Sequence, residues 1–367
     1  MSATADDYRW MARALQLARR GLYSAHPNPR VGCVIVARGE LVGEGWHQRT
    51  GGPHAEVVAL AEAGTKAAGA TAYVTLEPCC HHGRTPPCTA ALQRAGIRRV
   101  VFAAADPNPR VGGGGARQLA EAGIGCLAGV LEAEARVLNA GFNSRMERGR
   151  PYVRVKLAAS LDGRTALASG ASRWISSEAA RSDAHELRAR SSAILTGVGT
   201  VLADDPELTV RRPDLGEVRG PERLVLDSQL RTPPTARLFA APGRVRILCG
   251  ASDPVRQRAL EAVGASVEVL PAPGGRPDLA VLMKRLAELE CNELLVEAGP
   301  QLAGALLDAA LVDEIVLYLA PHVLGADALG MFASRPLADM AARHAFEIMD
   351  LRRVGPDCRL SFRPRSS

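Results

Sequence analysis

Short apolar, β-rich runs alternate with helix-forming runs along this chain, and the alternation is clearly interrupted only once. The interruption is the segment RMERGRP at residues 145–151, which is polar and ends in proline. Strands that alternate with helices form sheets covered by helices, so each side of the interruption predicts an α/β unit. A chain of 367 residues is also too long for one ordinary core. We therefore predict two domains, residues 1–147 and 151–367.

The periodicity places the elements of both domains. In the first domain, helices are expected at residues 6–20, 54–63, 88–95 and 116–122, and strands at 30–37, 41–45, 70–76 and 99–104, followed by a last short strand. In the second, strands are expected at 152–159, 193–196, 223–227, 244–249, 293–297 and 314–319, and helices at 177–190, 254–263 and 301–309. The glycine run at 112–115 lacks the strand–helix spacing of a dinucleotide fingerprint, so we interpret it as a flexible turn.

Composition excludes several classes of protein. A hydrophobic content of 47% with 23% charged residues is typical of a soluble globular chain. No apolar run is long enough to cross a bilayer, and the opening MSATADDYRW has no apolar core of a signal peptide. The net charge of +6 is mild, and no basic block carries interleaved aromatics. We expect a cytoplasmic protein that binds neither membrane nor nucleic acid.

Four residues indicate a metal site. Zinc binds imidazole nitrogen and thiolate sulfur, and a catalytic zinc keeps three protein ligands and an open fourth position. His54, Cys79 and Cys88 supply such a set, and Glu56 lies close enough to His54 to move protons beside the metal. His54 and Cys88 each follow a proline at an expected helix start, where the helix dipole stabilises a thiolate.

Two other interpretations of these residues stay open at this point. A structural zinc site would need a fourth ligand, which Cys80, His81 or His82 could supply. The cluster could also be incidental. In a chain expected to be cytoplasmic, however, grouped cysteines point to metal or catalysis before disulfides.

The pattern resembles that of zinc-dependent nucleobase deaminases, whose signature is His-x-Glu followed by Pro-Cys and a second Cys. Eight residues separate Cys79 from Cys88, and this longer loop resembles that of the bifunctional riboflavin-biosynthesis deaminase/reductases. Further matching strings are HPNPRVGCVIV (26–36), GEGWH (43–47), GGPHAEV (51–57), TLEPCCHHGRTPPC (75–88) and DPNPRV (106–111). Two positions depart from that family: Cys80 stands where serine is common, and Gly114 where a basic residue is commoner.

The resemblance implies a cytidine-deaminase-like αβα sandwich for the first domain, with zinc bound by His54, Cys79 and Cys88. Zinc would lower the pKa of bound water so that hydroxide attacks the ring carbon bearing the amine. Glu56 would be the catalytic residue, carrying the proton to the ring and to the departing ammonia. The implied pyrimidine and ribose-phosphate contacts are Asn28, His47, His82, Arg84 and Asn108.

The second half also resembles that family, through VKLAASLDGRTA (155–166), SGASRWIS (169–176), HELRA (185–189), ILTGVGTVLADDPELTVR (194–211), LVLDS (224–228) and LLVEAGPQLAGALL (294–307). It implies a dihydrofolate-reductase-like α/β domain that uses NADPH. Cofactor contacts would be Ala158, Trp174, Thr200, Asp204, Ser228 and Gly299, and substrate contacts Lys156, Ser172, Arg188, Leu208, Arg211 and Glu297. Taken alone, a glycine such as Gly299 at a strand–helix junction is equally explained by turn geometry.

The implied function is deamination of 2,5-diamino-6-(5-phosphoribosylamino)pyrimidin-4(3H)-one. NADPH-dependent reduction of the ribosyl group of 5-amino-6-(5-phosphoribosylamino)uracil to ribityl would follow. The partners would be these small molecules, and we expect a homo-oligomer. Two alternatives remain: a nucleoside or tRNA deaminase with an unrelated second domain, and a non-enzymatic binding module with structural zinc.

Overall fold

The computed structural model describes residues 2–81, 86–109 and 111–365. The chain forms two compact units, Met1–Gly149 and Arg150–Ser367. No helix in these described ranges is both long enough and apolar enough to cross a bilayer. Each unit is built around its own sheet.

The first unit is a five-stranded sheet between helices. Its helices are α1 (Ala5–Arg19), α2 (Ala55–Ala63), α3 (Cys88–Arg94), α4 (Gly114–Glu121), α5 (Glu132–Leu138) and α6 (Ala140–Arg148), and its strands are β1 (Gly32–Ala37), β2 (Glu40–Trp46), β3 (Thr71–Leu76), β4 (Arg99–Ala104) and β5 (Gly125–Ala128). The strand order is β2-β1-β3-β4-β5. Strand β1 is antiparallel to both neighbours, whereas β3, β4 and β5 are parallel.

The two faces of this sheet bury different helices because successive side chains of a strand point to opposite sides. Cys33 and Ile35 of β1 pack in a cluster with residues of α2, α3 and α4. Val34 and Val36 of the same strand pack with residues of α1 and α5. The result is a three-layer αβα sandwich.

The second unit contains a nine-stranded sheet. Its strands are β6 (Tyr152–Ser160), β7 (Arg164–Ala166), β8 (Ala193–Gly197), β9 (Glu222–Leu226), β10 (Val245–Cys249), β11 (Ala265–Val269), β12 (Glu293–Val296), β13 (Glu314–Ala320), β14 (Leu329–Gly330), β15 (Phe346–Val354) and β16 (Asp357–Pro364), and its helices are α7 (Glu178–Arg190), α8 (Val198–Asp204), α9 (Arg237–Ala240), α10 (Pro254–Ala262), α11 (Leu279–Glu288) and α12 (Pro300–Asp308). The order is β11-β10-β9-β8-β12-β6-β13-β16-β15, and β7 pairs separately with β14.

Seven neighbouring strands of the large sheet, from β11 to β13, are parallel, and β16 and β15 extend it in antiparallel fashion. Helices α11 and α12 cover one face, against residues such as Leu195 and Val296. Helix α7 covers the other face, against Ile194 and Leu295. Because parallel strands end at one edge, the segments after β8, β9 and β12 emerge together there.

The structure differs from the sequence-based expectation in several places. Residues 145–148, expected as part of a polar linker, form the end of α6, and the helix stops at Gly149, where φ is 63°. The glycine run at 112–115 is not simply a flexible turn, because Gly114 and Gly115 begin α4. Helices α5, α6, α8 and α11 and strands β11, β15 and β16 were not expected from the periodicity.

Candidate active sites

The first unit brings together one imidazole and two thiols. His54 is the N-cap residue of α2, Cys88 is the first residue of α3, and Cys79 lies in the loop after β3. The ligand atoms of these three residues all lie within 4.8 Å of one another. Nδ1 of His54 is 3.2 Å from Sγ of Cys88 and 3.6 Å from Sγ of Cys79. One nitrogen and two sulfurs fit the donor set of a catalytic zinc site.

The two thiols shift each other's pKa in opposite directions. The hydrogen bond from Cys88, together with that from His54, lowers the pKa of Cys79 to about 4. The same hydrogen bond and burial raise the pKa of Cys88, and the contact with Cys79 raises that of His54. Zinc binds thiolates, and the lowered pKa of Cys79 favours its thiolate form. Cys79 would therefore be the first anionic ligand. Among the described residues, the group that could hold a metal ion consists of these three side chains, and His82, a candidate for a fourth ligand, lies outside them.

Glu56 is the buried acid of this site. It is the second residue of α2, its residue surface is only 4% exposed, and its carboxyl group contacts the thiol of Cys88. Burial raises the pKa of Glu56, although the nearby His54 opposes the shift. A carboxyl group with a raised pKa next to a metal site can both accept and return a proton near neutral pH.

A second buried acid, Glu77, holds the cysteine loop. This residue was not predicted from the sequence. Its carboxylate accepts hydrogen bonds from the backbone N–H groups of Gly113 and Ala116, both at 3.0 Å, and of Asp106 at 3.3 Å. Glu77 directly precedes Pro78 and Cys79 in the chain. Its hydrogen bonds therefore tie the cysteine loop to the start of α4 and to the loop after β4. The sequence did carry one signal for Glu77, since an acidic residue stands there directly after an apolar strand and before Pro-Cys.

Replacing Gly115 with alanine is expected to disrupt the metal site. A Cβ atom at Gly115 would lie 2.0 Å from the carbonyl oxygen of Pro78, so the backbone that carries Cys79 would have to move. Overpacking of this kind costs about 1–3 kcal/mol. We expect a lower Tm and a reduced zinc content, measured by elemental analysis. The matched control is Gly112→Ala, because its nearest atom would be 3.7 Å away. Equal zinc content in both variants would contradict this explanation.

The predicted pyrimidine contacts are only partly described. Nδ2 of Asn28 lies 3.0 Å from Nε2 of His47, whose Nδ1 donates to the carbonyl oxygen of Pro53. The rings of His47 and His54 meet edge to face with centroids 5.5 Å apart, so Asn28 and His47 adjoin the metal ligands. Burial lowers the pKa of His47.

Asn108 lies in the loop after β4, where its backbone N–H binds the carboxylate of Asp106. His82 and Arg84 lie outside the described residues.

In the second unit, three predicted substrate residues form a charged cluster. The guanidinium of Arg188 binds both carboxylate oxygens of Glu297, at 2.6 and 2.9 Å. Their side chains are 14% and 11% exposed. Arg188 and then Lys156 lower the pKa of Glu297 to about 2 despite its burial. Burial lowers the pKa of Lys156, and the nearby carboxylate of Glu297 opposes this shift. Arg188, expected from the resemblance to contact the substrate, is therefore already paired with an acid.

The predicted cofactor residues lie along the carboxyl edge of the parallel strands. Ala158 is near the end of β6, Ser228 follows β9, and Gly299 is the N-cap of α12. The backbone N–H of Gly299 donates to Oγ1 of Thr200, at 3.3 Å. A Cβ at Gly299 would meet no atom closer than that same oxygen at 4.0 Å. This open helix N-terminus fits a phosphate group of NADPH.

The remaining predicted residues lie near that edge. Oγ of Ser172 is 3.4 Å from the carboxylate of Asp204, the last residue of α8. Trp174 is 69% exposed, and the guanidinium of Arg181 lies 4.3 Å from its ring centroid. Leu208 is buried, whereas the side chain of Arg211 is 59% exposed.

Both units match families of known proteins. Residues 4–104 match the zinc-binding region of cytidine and deoxycytidylate deaminases, and residues 151–360 match the RibD C-terminal domain. Riboflavin biosynthesis protein RibD of Escherichia coli (strain K12) is 52% identical over 366 residues, which cover 96% of this chain and 97% of that protein.

Two solved structures are similar over almost the whole chain. Acinetobacter baumannii RibD, form 1, has a TM-score of 0.91 at 43% identity, covering 98% of this chain and 99% of that one. A Thermotoga maritima diaminohydroxyphosphoribosylaminopyrimidine deaminase/5-amino-6-(5-phosphoribosylamino)uracil reductase has a TM-score of 0.86 at 34% identity, with the same coverage.

These matches confirm the fold class expected from the sequence, a cytidine-deaminase-like αβα sandwich followed by a dihydrofolate-reductase-like α/β domain. They also exclude the alternative of a deaminase with an unrelated second domain. The chain belongs to the RibD family of riboflavin biosynthesis proteins, which join a zinc-dependent deaminase to an NADPH-dependent reductase.

Proposed function

We propose that this bifunctional enzyme of riboflavin biosynthesis deaminates the diaminopyrimidine ribotide in residues 1–147 and reduces the product in residues 151–367. The observation that carries the proposal is the convergence of His54, Cys79 and Cys88, with Glu56 beside them, in a chain similar to RibD over its full length. The substrates named for the Thermotoga maritima protein would be those of this chain.

In the deaminase site, His54, Cys79 and Cys88 would hold zinc, which makes water nucleophilic near neutral pH. Glu56 would take one proton from the attacking water and pass it to the ring nitrogen as hydroxide adds to the ring carbon. It would then take the proton of the added hydroxyl and pass it to the amine, which leaves as ammonia as the C–N bond breaks and the carbonyl forms. Its burial suits this role, because a carboxylate with a raised pKa takes a proton more readily than a solvated one and holds it for transfer to the substrate. Asn28 and His47 orient the pyrimidine, since their mutual hydrogen bond fixes both side chains next to His54.

In the reductase site, the protein positions cofactor and substrate for hydride transfer from NADPH to the ribosyl carbon. Thr200 and Gly299 hold the cofactor at the N-terminus of α12, with Ala158, Trp174, Asp204 and Ser228 as further contacts. The substrate is bound on the side of Lys156 and Glu297, with Ser172, Arg188, Leu208 and Arg211. Homo-oligomerisation and a cytoplasmic location stay predictions from the sequence.

A coupled assay tests both steps. Purified enzyme is given the diaminopyrimidine ribotide and NADPH, and absorbance of NADPH is followed with and without a zinc chelator. We expect oxidation of NADPH without chelator and none with it, because reduction requires the deaminated product. The deaminated ribotide, supplied as a control, should support oxidation in both conditions. Chelator-insensitive oxidation with the diaminopyrimidine ribotide would contradict the assignment of deamination to zinc.

A further inference from the structure

Helix α7 holds the loop that carries Arg211 through two side chains. His185 and Arg188 lie three residues apart, so they share one face of the helix. The backbone N–H of Arg211 donates to Nδ1 of His185, at 3.1 Å. Nη1 of Arg188 donates to the carbonyl oxygen of Thr209, at 2.8 Å. Both hydrogen bonds tie the helix to residues 205–212, a segment without regular secondary structure.

We propose that His185 is a positioning residue of the reductase site, which fixes the backbone of Arg211 so that the Arg211 guanidinium binds the phosphate of the phosphoribosyl substrate. This inference rests on the proposed function, and it adds a residue that contacts neither substrate nor cofactor in that proposal.

Arg211 suits a phosphate better than Arg188 does. Three nitrogens of the Arg188 guanidinium already donate to Glu297 and to the Thr209 carbonyl. The side chain of Arg211 is 59% exposed and pairs with Glu207, at 3.1 Å. An exposed ion pair of this kind contributes little, so a phosphate dianion can replace the carboxylate. With its backbone fixed, Arg211 needs only a change of side-chain rotamer to bind the substrate.

Leu208 anchors the same loop from its apolar side. Its backbone has φ of 52°, an uncommon conformation for leucine, and its residue surface is 3% exposed. It packs in a cluster with Ala184 and Leu187, which flank His185 on α7. The loop is therefore attached to one helix by the apolar contact of Leu208 and by hydrogen bonds at Thr209 and Arg211.

The imidazole of His185 can act as the acceptor only while Nδ1 carries no proton. Burial lowers the pKa of His185 to about 4, and the cations Arg188 and Arg211 add to the shift, whereas Glu297 opposes it. The neutral form therefore persists at neutral pH. Donation from the Arg211 N–H assigns the proton to Nε2, because Nδ1 is the acceptor.

Reductase kinetics of the full-length enzyme test this role. NADPH and 5-amino-6-(5-phosphoribosylamino)uracil are varied in turn for wild type, His185→Leu and His185→Asn. Leucine removes the acceptor and leaves the Arg211 N–H without a partner, so we expect KM for the ribotide to rise about tenfold. We expect kcat within about twofold and an unchanged KM for NADPH. Asparagine should restore KM, because its amide oxygen can take the place of Nδ1.

A substrate without the phosphate separates positioning from structural damage. The same uracil derivative with an unphosphorylated ribosyl group should show equal KM for wild type and His185→Leu. Arg211→Gln should also raise KM for the ribotide, and adding His185→Leu to it should cause no further rise, since both changes act through one contact. If His185→Leu does not fold, His185→Asn still tests the proposal, because a raised KM that is equal for the phosphorylated and unphosphorylated substrates would contradict it.

Three results would overturn the proposal. An unchanged KM for the ribotide in His185→Leu would remove the role of His185. Equal rises in KM for the phosphorylated and unphosphorylated substrates would show a structural effect instead of a phosphate-directed one. A wild-type enzyme that does not oxidise NADPH with the ribotide would overturn the proposed function and this inference with it. The wild-type measurement therefore distinguishes the two failures.

Discussion

Replacing Glu56 with glutamine is expected to abolish ammonia release while zinc stays bound. The amide has nearly the same shape as the carboxyl group but cannot take the proton of the attacking water. A positioned acid–base group typically contributes a factor of about 10²–10⁴ to the rate, and Glu56 serves more than one proton transfer. Zinc content should not change, because His54, Cys79 and Cys88 supply the ligands. Ammonia release and elemental analysis on the same preparation measure both effects.

Glu62→Gln is the matched control for this variant. Glu62 lies on the same helix, α2, but it is exposed and its carboxylate accepts a hydrogen bond from the backbone of Glu44. It should keep the wild-type rate of ammonia release. Reductase activity with the deaminated ribotide should be normal in both variants, which would show that the second unit is folded, and unchanged zinc content would show the same for the first unit. Ammonia release by Glu56→Gln at even a tenth of the wild-type rate would remove Glu56 from the proton transfers.

The convergence of the three proposed metal ligands could be predicted because each residue has a local signal. His54 and Cys88 stand at helix starts after prolines, and Cys79 follows Pro78 in a loop. The residues that hold this loop have no such signal. Glu77 accepts hydrogen bonds from residues 29 to 39 positions away, and the need for glycine at position 115 comes from contact with the carbonyl of Pro78. Such contacts depend on tertiary packing, which a single sequence does not display.

Helices α5 and α6 illustrate the same limit. They meet at Asn139, a buried polar residue that looks in the sequence like a loop residue. Its side chain accepts from the backbone N–H of Arg30 at 2.8 Å and donates to the carbonyl oxygen of Arg30 at 2.9 Å. The two residues are 109 positions apart. The burial of Asn139 is therefore explained by its hydrogen bonds to the segment before β1. The periodicity of residues 132–148 could not reveal this contact.

In the second unit, the sequence indicated which residues gather at the sheet edge but not how their charges are paired. Lys156 of β6, Arg188 of α7 and Glu297 after β12 interact with one another, and resemblance assigned all three to the substrate. Arg188 and Glu297 are 109 positions apart, so their ion pair becomes visible only in the fold. His185 was missed for the same reason, since its partner is a backbone N–H in an irregular segment.

Replacing Glu297 with glutamine is expected to destabilise the second unit strongly and to abolish reduction. The change leaves the largely buried cations Arg188 and Lys156 without their acid. Breaking a buried ion pair by removing one partner costs about 3–5 kcal/mol. The exposed pair of Glu288 with Arg285 is the matched control, and Glu288→Gln should cost less than about 1 kcal/mol. Urea unfolding at pH 7 measures both free energies of unfolding.

The pH dependence and a second substitution separate the charge effect from loss of packing. The folded pKa of Glu297 is lowered to about 2, so its stabilisation is fully present above the ordinary value of 4.5 and is lost as the pH falls toward 2. The difference in unfolding free energy between wild type and Glu297→Gln should therefore shrink over that interval. Adding Lys156→Met at pH 7 should recover part of the lost stability, because one unpaired cation is removed, while reduction stays abolished. A pH-independent difference, with no recovery in the double variant, would mean that glutamine disturbs packing and that the buried charges are not the cause.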